Sequence, residues 1–324
     1  FLRAGSGLLH GRDVYPPPTS PAVYAGNSFV YPYFSALPFV PLAVLPSELA
    51  DQIFFGISVA ALIVTCVIAA GGDRWPTLLV LGTTFTITGL QVGALSPLLL
   101  VGAVWLWRLR ERPAWFGLVA ALVVTSKLFL APLLLWLLLG RRFRAAGWAL
   151  GAIAVVLAAG FLVGPLGPLG YAHLLSTLGA HEARSGYGLI GALRNLGLAT
   201  AAADALAGLV SLAVLGAAFR RSRATGDERI LFCAGILASL LLSPVVWSHY
   251  LVLLAAIPLV MRARLRWFVV LALCSWGVAL PYGVQPGAIS LWGVHSLGTW
   301  LIVAAILAGL GVMGRQRSAA VQTR

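Results

Sequence analysis

Runs of apolar residues separated by short basic clusters dominate this chain. Residues 51–70, 145–164 and 200–219 are each long and apolar enough for one membrane-spanning helix. Five arginine clusters stand between the runs: Arg108/Arg110/Arg112, Arg141/Arg142/Arg144, Arg220/Arg221/Arg223 with Arg229, Arg262/Arg264/Arg266, and Arg315/Arg317/Arg324. A weaker polar site lies at 71–75, with Asp73 and Arg74. Basic short loops stay on the cytoplasmic side of a membrane, so all five clusters are expected there. Each stretch between neighbouring clusters must then cross an even number of times.

That rule bites hardest between Pro113 and Gly140, a stretch of 28 residues. A single helix would put its two arginine clusters on opposite faces. Two crossings leave about 13 residues each, or ~20 Å of helix. A hydrocarbon core is ~30 Å thick. The spacing therefore predicts a hairpin of short helices, bending inside a thinned or water-filled outer leaflet, with Lys127 at the bend just before Pro132. Similar breaks are expected near Gln91 in 77–107, from Ser243-Pro244 to Ser248-His249 in 230–261, and around Pro281 to Gly287 in 267–313. The architecture predicted is all-α, with about eleven crossings that start outside and end inside. One integral membrane domain would fill residues 1–324: an extracytoplasmic loop at 1–47, a transmembrane bundle at 48–314 with an outer loop at 165–198, and a cytoplasmic tail at 315–324. The first segment holds eight prolines and is read as a loop on or in the outer surface. Bends, prolines and both long loops thus collect on one face, where function is expected. There is no internal repeat, heptad run or soluble domain.

Composition agrees. Hydrophobic residues make up 60% of the 324 and charged residues 10%, with a mean hydropathy of +0.96. No globular interior could hide that much apolar surface, so a soluble enzyme, a disordered chain and a disulfide scaffold are excluded. The net charge of +13 marks topology here rather than nucleic-acid binding. Lys127 is the single lysine among 22 basic residues, and this arginine bias fits a GC-rich bacterial genome. Cys66, Cys233 and Cys274 fit neither a metal nor a redox spacing. The chain opens on Phe1, which fits an N-terminal truncation.

Candidate chemistry is sparse. Lys127 lies in an apolar run with no carboxylate within a helical turn; it either snorkels to the interface or supplies a point charge for a phosphate. His249 and Tyr250, with Trp247, are either interfacial belt residues or phosphate and substrate partners at a cavity mouth. Arg184 and Arg194 stand in the outer loop, either against lipid headgroups or as anion ligands. Gln91 either bonds freed backbone at its break or enters the cavity. Tyr31 and Tyr33 either pack or stack on a sugar. Asp13 is the most plausible base among the acids present, set against an Asx turn ahead of the prolines. No hydrolase carboxylate pair, metal-ligand cluster, phosphate loop or dinucleotide fingerprint is present.

Several stretches resemble glycosyltransferase family 87, membrane-embedded C-type enzymes that use polyprenol-phosphate mannose. They run from Phe1-Leu2-Arg3 through His10-Gly11-Arg12-Asp13-Val14-Tyr15; Phe29-Val30-Tyr31-Pro32-Tyr33-Phe34; Gly89-Leu90-Gln91-Val92, with Leu90 inserted and Gly93 in place of Asn; Ser126-Lys127-Leu128 and Pro132 before Arg141-Arg142-Phe143-Arg144; Gly188-Leu189-Ile190-Gly191 with Arg194, without the usual preceding Asn; and Ser243-Pro244, Trp247 and His249-Tyr250. They cover residues 1 to about 265.

The resemblance implies transfer of a sugar, by expectation mannose, from a polyprenyl-phosphate donor to a lipid or glycan hydroxyl at the outer face of a bacterial plasma membrane. It implies no cofactor, no metal and no nucleic-acid partner. Lys127, His249 and Arg194 would hold the donor phosphate. Gln91, Tyr31, Tyr250 and Trp247 would line the substrate cavity. The family's base, an acidic residue near the end of a first helix, is expected shortly before Phe1, with Asp13 as a substitute. A β-linked donor would yield an α-linked product. A flippase or transporter for an anionic lipid-linked sugar is the alternative, and a non-catalytic membrane subunit stands behind both.

Overall fold

In a computed structural model, which describes residues 1–18, 20–24 and 28–279, every regular element among the described residues is helical. Among the described residues, three helices are long and apolar enough to cross a membrane: Ser47–Ala69, Phe143–Val163 and Thr200–Thr225. At ~1.5 Å per residue they span ~32–39 Å. Large apolar side chains on them point outward; Leu162 is 85% exposed, and Phe55, Val64, Val155, Leu209 and Leu212 are at least half exposed. Such a surface is matched by lipid rather than water. These are the three long runs of the sequence, with one change. The last continues through Arg220, Arg221 and Arg223, because arginine is a good helix former, and stops only at Gly226, whose φ of 69° takes the left-handed terminating conformation.

Shorter segments come in pairs. Pro113–Ser126 leads up to Lys127, whose extended backbone (φ −153°, ψ 103°) ends the helix. The chain returns as a 3-10 stretch, Leu128–Leu134, with Pro132 inside it, and a last α-helical turn, Leu135–Leu139. Proline cannot donate the α-helical hydrogen bond, and the tighter 3-10 winding rises ~2.0 Å per residue. Each arm therefore covers ~21 Å. The two ends meet. Arg142 donates through Nη1 and Nη2 to the Glu111 carboxylate at 3.0 and 2.9 Å, and through Nε to Glu228 at 2.8 Å. Those bonds hold the Glu111 carboxyl below its usual pKa. The hairpin predicted between Pro113 and Gly140 is thus present, and three arginine clusters share one end of the molecule. The fourth joins them, since Arg262 lines the same pocket as Arg108, Arg110 and Arg229.

Arg229–Leu242 and Ser248–Met261 form the second pair, bending at 243–247 and again partly 3-10, over Ser248–Ala255. The pairs pack closely. A Cβ on Gly235 would stand 2.9 Å from the Leu133 carbonyl oxygen. The break expected near Gln91 separates Thr84–Gln91 from Ser96–Leu109, with Gly93 at φ 61°. A further break, not anticipated, falls at Gly82-Thr83. There the Thr83 hydroxyl donates to the Val80 carbonyl at 2.8 Å and accepts the Thr86 N–H at 3.2 Å, capping a new helix.

The segment read as an outer loop holds more structure than expected: a helix at Leu2–Leu9 and 3-10 turns at Pro21–Tyr24, Tyr33–Phe39 and Leu42–Val44. Its prolines begin only at Pro16, which leaves residues 2–9 free to wind. The second outer connection is largely helical, at Pro168–Glu182 and Leu189–Asn195. The bend expected around 281–287, the fifth arginine cluster and the tail at 315–324 lie outside the described residues.

The close contact at Gly235 makes a prediction. Gly235→Ala should drive the two pairs apart at a cost of ~1–3 kcal/mol. It should lower the apparent melting midpoint of the detergent-solubilised protein by about 2–6 °C. Gly147→Ala, with nothing within 4 Å of the added carbon, should leave the midpoint unchanged or raise it.

Candidate active site

The bends open a cavity of about 1280 Å³ at the end of the molecule opposite the arginine clusters. Its wall draws on the start of the first long helix (Ser47, Asp51), the 84–96 break (Thr88, Val92, Gly93), the Lys127 bend and the 243–250 bend. Phe1, Tyr31, Tyr171 and Tyr187 add aromatic surface from the outer segments.

Lys127 is its centre. The side chain is 4% exposed, and Nζ is buried with no hydrogen-bond partner. Rings surround it instead: Nζ lies 3.5 Å from the centre of the Tyr250 ring and 4.9 Å from that of Tyr31. Desolvated cation–π contacts are worth about 2 kcal/mol each. Removing an unpaired ammonium from water costs several kcal/mol, of the same order as those contacts return. No carboxylate forms an ion pair with Lys127 among the described residues. Among the described residues the Lys127 nitrogen therefore has neither a counter-charge nor a hydrogen-bond acceptor.

The rings are held by construction. Tyr250 stacks on Phe129 at 5.2 Å, nearly parallel, and His249 stands edge-on to Tyr250 at 4.8 Å. The strand-like stretch carrying Tyr31 is pinned by two tyrosines: Tyr15 donates to the Tyr31 carbonyl at 2.8 Å, and Tyr171 to the Val30 carbonyl at 3.1 Å. The 243–247 bend is held from outside by the Tyr187 N–H, which donates to the Val246 carbonyl at 2.6 Å. Gly89 lets the Thr84–Gln91 helix approach the bend; a Cβ there would lie 3.2 Å from Pro97 and 3.5 Å from His249.

Of the predicted site residues, the structure brings together Lys127, His249, Tyr250, Trp247 and Tyr31, all in the cavity wall. Three others are placed differently. Asp13 accepts the Tyr15 N–H at 2.9 Å in an Asx turn and is exposed outside the cavity. Arg194 donates to the carbonyls of Gly179 and Ala180, both at 3.3 Å, and so closes the end of the Pro168–Glu182 helix. Gln91 is exposed and does not line the cavity, although its neighbours Thr88 and Val92 do. The Gly188–Gly191 motif is a packing device: a Cβ on Gly191 would collide with the Ala183 carbonyl at 2.0 Å.

Sequence reasoning missed Phe129, which sits two residues past Lys127 and meets Tyr250 only once the hairpin and the 243–250 bend are folded together. It also passed over Asp51 and Glu182, the carboxylates of the cavity wall, and Arg3. Burial pushes the Glu182 carboxyl above its usual pKa. Among the described residues, no three of His, Cys, Asp and Glu group as metal ligands.

An apolar helical bundle whose bends enclose a cavity with a buried, unpartnered lysine has the features of a membrane protein. Residues 29–244, most of the chain, match glycosyltransferase family 87, and the chain belongs to that family. It is a membrane glycosyltransferase. Over 333 aligned residues it is 28% identical to the polyprenol-phosphate-mannose-dependent alpha-(1-2)-phosphatidylinositol mannoside mannosyltransferase of Mycobacterium tuberculosis (strain ATCC 25618 / H37Rv), covering 89% of this chain and 77% of the relative. No solved structure matches it.

Lys127→Met tests the electrostatic argument without any substrate. Removing a buried charge that has no partner should raise the apparent melting midpoint by about 2–6 °C. A fall would mean that Lys127 is already neutralised in the resting protein.

Proposed function

We propose that the protein transfers mannose from polyprenyl-phosphate mannose to a hydroxyl of a lipid or glycan acceptor, at the extracytoplasmic face and without a metal ion. The observation that carries this reading is the buried, unpartnered Lys127 side-chain nitrogen in a cavity built of helix breaks. The mannosyltransferase relative supports the choice of donor. Positive-inside topology puts the arginine end in the cytoplasm and the cavity outside, with about eleven crossings in the whole chain.

The donor is a phosphodiester with one negative charge. In the reaction the acceptor oxygen attacks the anomeric carbon, a base takes its proton, and the bond from that carbon to the phosphate oxygen breaks. The electron pair leaves on polyprenyl phosphate, which gains a second negative charge. Lys127, beside that oxygen, answers the developing charge where water is excluded, and His249 adds a hydrogen bond. Tyr31, Tyr250 and Trp247 form the aromatic wall along which the sugar and the first prenyl units lie. For the base we take the acidic residue that the family resemblance puts shortly before Phe1. Phe1 is itself in the cavity wall, stacked on Tyr31 at 4.7 Å and on Phe39 at 4.8 Å. Asp51 and Glu182 are the rival carboxylates.

The test is transfer by the full-length gene product in proteoliposomes, with radiolabelled polyprenyl-phosphate mannose and a crude lipid acceptor extract. Lys127→Ala should lose about 100-fold or more in rate, the scale of a lost transition-state charge partner, and His249→Ala about 10-fold or more. Asp51→Asn and Glu182→Gln should stay within about 10-fold of wild type. EDTA should have no effect. Undiminished transfer by Lys127→Ala would overturn the assignment of the phosphate site, and loss on chelation would overturn metal independence.

A further inference from the structure

Positive-inside topology asks for arginines near helix ends; it does not ask for them to surround a hollow. Yet Arg108, Arg110, Arg229 and Arg262, from three separate clusters, line one pocket of about 560 Å³ together with Asp227 and Glu228. Both acids are already occupied. Asp227 accepts from Arg229 Nε at 2.7 Å and Nη2 at 2.6 Å, and Glu228 accepts from Arg142 at 2.8 Å.

The remaining cations have no such answer. Among the described residues, no carboxylate lies within ion-pair distance of Arg108 or Arg262. Arg110 reaches Glu111 only at 3.5 Å, through an Nε that is buried without a hydrogen bond. Its guanidinium lies 4.1 Å over the Trp107 ring, and Nη1 donates to the Trp107 carbonyl at 2.9 Å, so the fork is held in place. Arg262 sits at φ 50°, ψ 51°, a left-handed conformation that residues with side chains seldom take. Leu259 and Val260 supply an apolar floor.

We infer that this pocket binds a phosphate ester, as the headgroup of an anionic lipid or as phosphate from solution. Planar guanidinium groups match phosphate oxygens in pairs, and basic pockets between membrane helices take anionic headgroups. The pocket lies at headgroup depth: exposed Trp75, Trp115 and Trp148 mark the first two turns of the neighbouring helices, where indoles sit at the membrane–water boundary. It is separate from the Lys127 cavity. The Ser96–Leu109, Arg229–Leu242 and Ser248–Met261 segments each have one end near the cavity and the other near this pocket. A bound phosphate would tie those far ends together. The inference depends on the membrane fold and not on the transfer reaction.

The test is thermal unfolding of the full-length gene product in dodecyl maltoside. Dioctanoyl phosphatidylglycerol, dioctanoyl phosphatidylcholine and inorganic phosphate are titrated separately. Phosphatidylglycerol should raise the midpoint by about 2–5 °C at saturation, with phosphatidylcholine inert. A rise with inorganic phosphate of the same size would sustain the pocket and identify its occupant as soluble phosphate. Arg110→Gln/Arg262→Gln should abolish the response, while Arg220→Gln/Arg223→Gln, outside the pocket, should retain it. Should the double variant not fold, Arg262→Gln alone should need about tenfold more ligand for half the shift. An equal response to phosphatidylcholine, no response to either anion, or an undiminished response in the pocket variants would overturn the inference.

Discussion

The structure turns on one unpartnered lysine. Lys127 places its amine where water cannot reach it and, among the described residues, no carboxylate pairs with it. The aromatic rings around it return an energy of the same order as the desolvation takes. An anion in the cavity is what would complete the arrangement in the function proposed above. Everything around Lys127 serves to hold it: the helix that ends at Ser126, the proline that keeps the return arm from winding as an α-helix, the Phe129–Tyr250 stack, and the two tyrosines that pin the stretch carrying Tyr31.

The geometry that creates the site also explains why it lies at one end. Arms of ~21 Å cannot cross a ~30 Å hydrocarbon core. If their arginine ends are fixed at one surface, the bends stop short of the other, and the missing depth becomes the cavity. The Arg142 bonds to Glu111 and Glu228 fix those arginine ends to one another. The 3-10 stretches gain a few ångströms for each returning arm and bring Lys127 and His249 to a common level. Cavity end and basic end are thus two consequences of the same short segments.

Much of this was legible in the sequence because the bilayer imposes coarse rules. The three long helices, the hairpin at Lys127 and the bend at Ser243-Pro244 follow from run length, arginine spacing and proline. The grouping of Lys127, His249, Tyr250, Trp247 and Tyr31 came from motif resemblance together with the expectation that helix breaks line a cavity. What failed depended on local detail. Asp13 and Arg194 are polar residues of the two segments expected on the outer side, but short-range geometry claims both: an Asx turn for one, a helix end for the other. The Gly82-Thr83 break was hidden because a threonine cap carries no mark that distinguishes it from a threonine inside a helix. Phe129 was hidden because stacking across two segments has no periodicity.

The most direct measurement of the central claim is an experimental structure of the full-length gene product with polyprenyl phosphate bound. The account predicts a phosphate oxygen at ~2.7–2.9 Å from Lys127 Nζ, the distance of a charge-assisted hydrogen bond, with the prenyl chain leaving along the aromatic wall. A phosphate bound elsewhere, with Nζ still facing only Tyr31 and Tyr250, would contradict it.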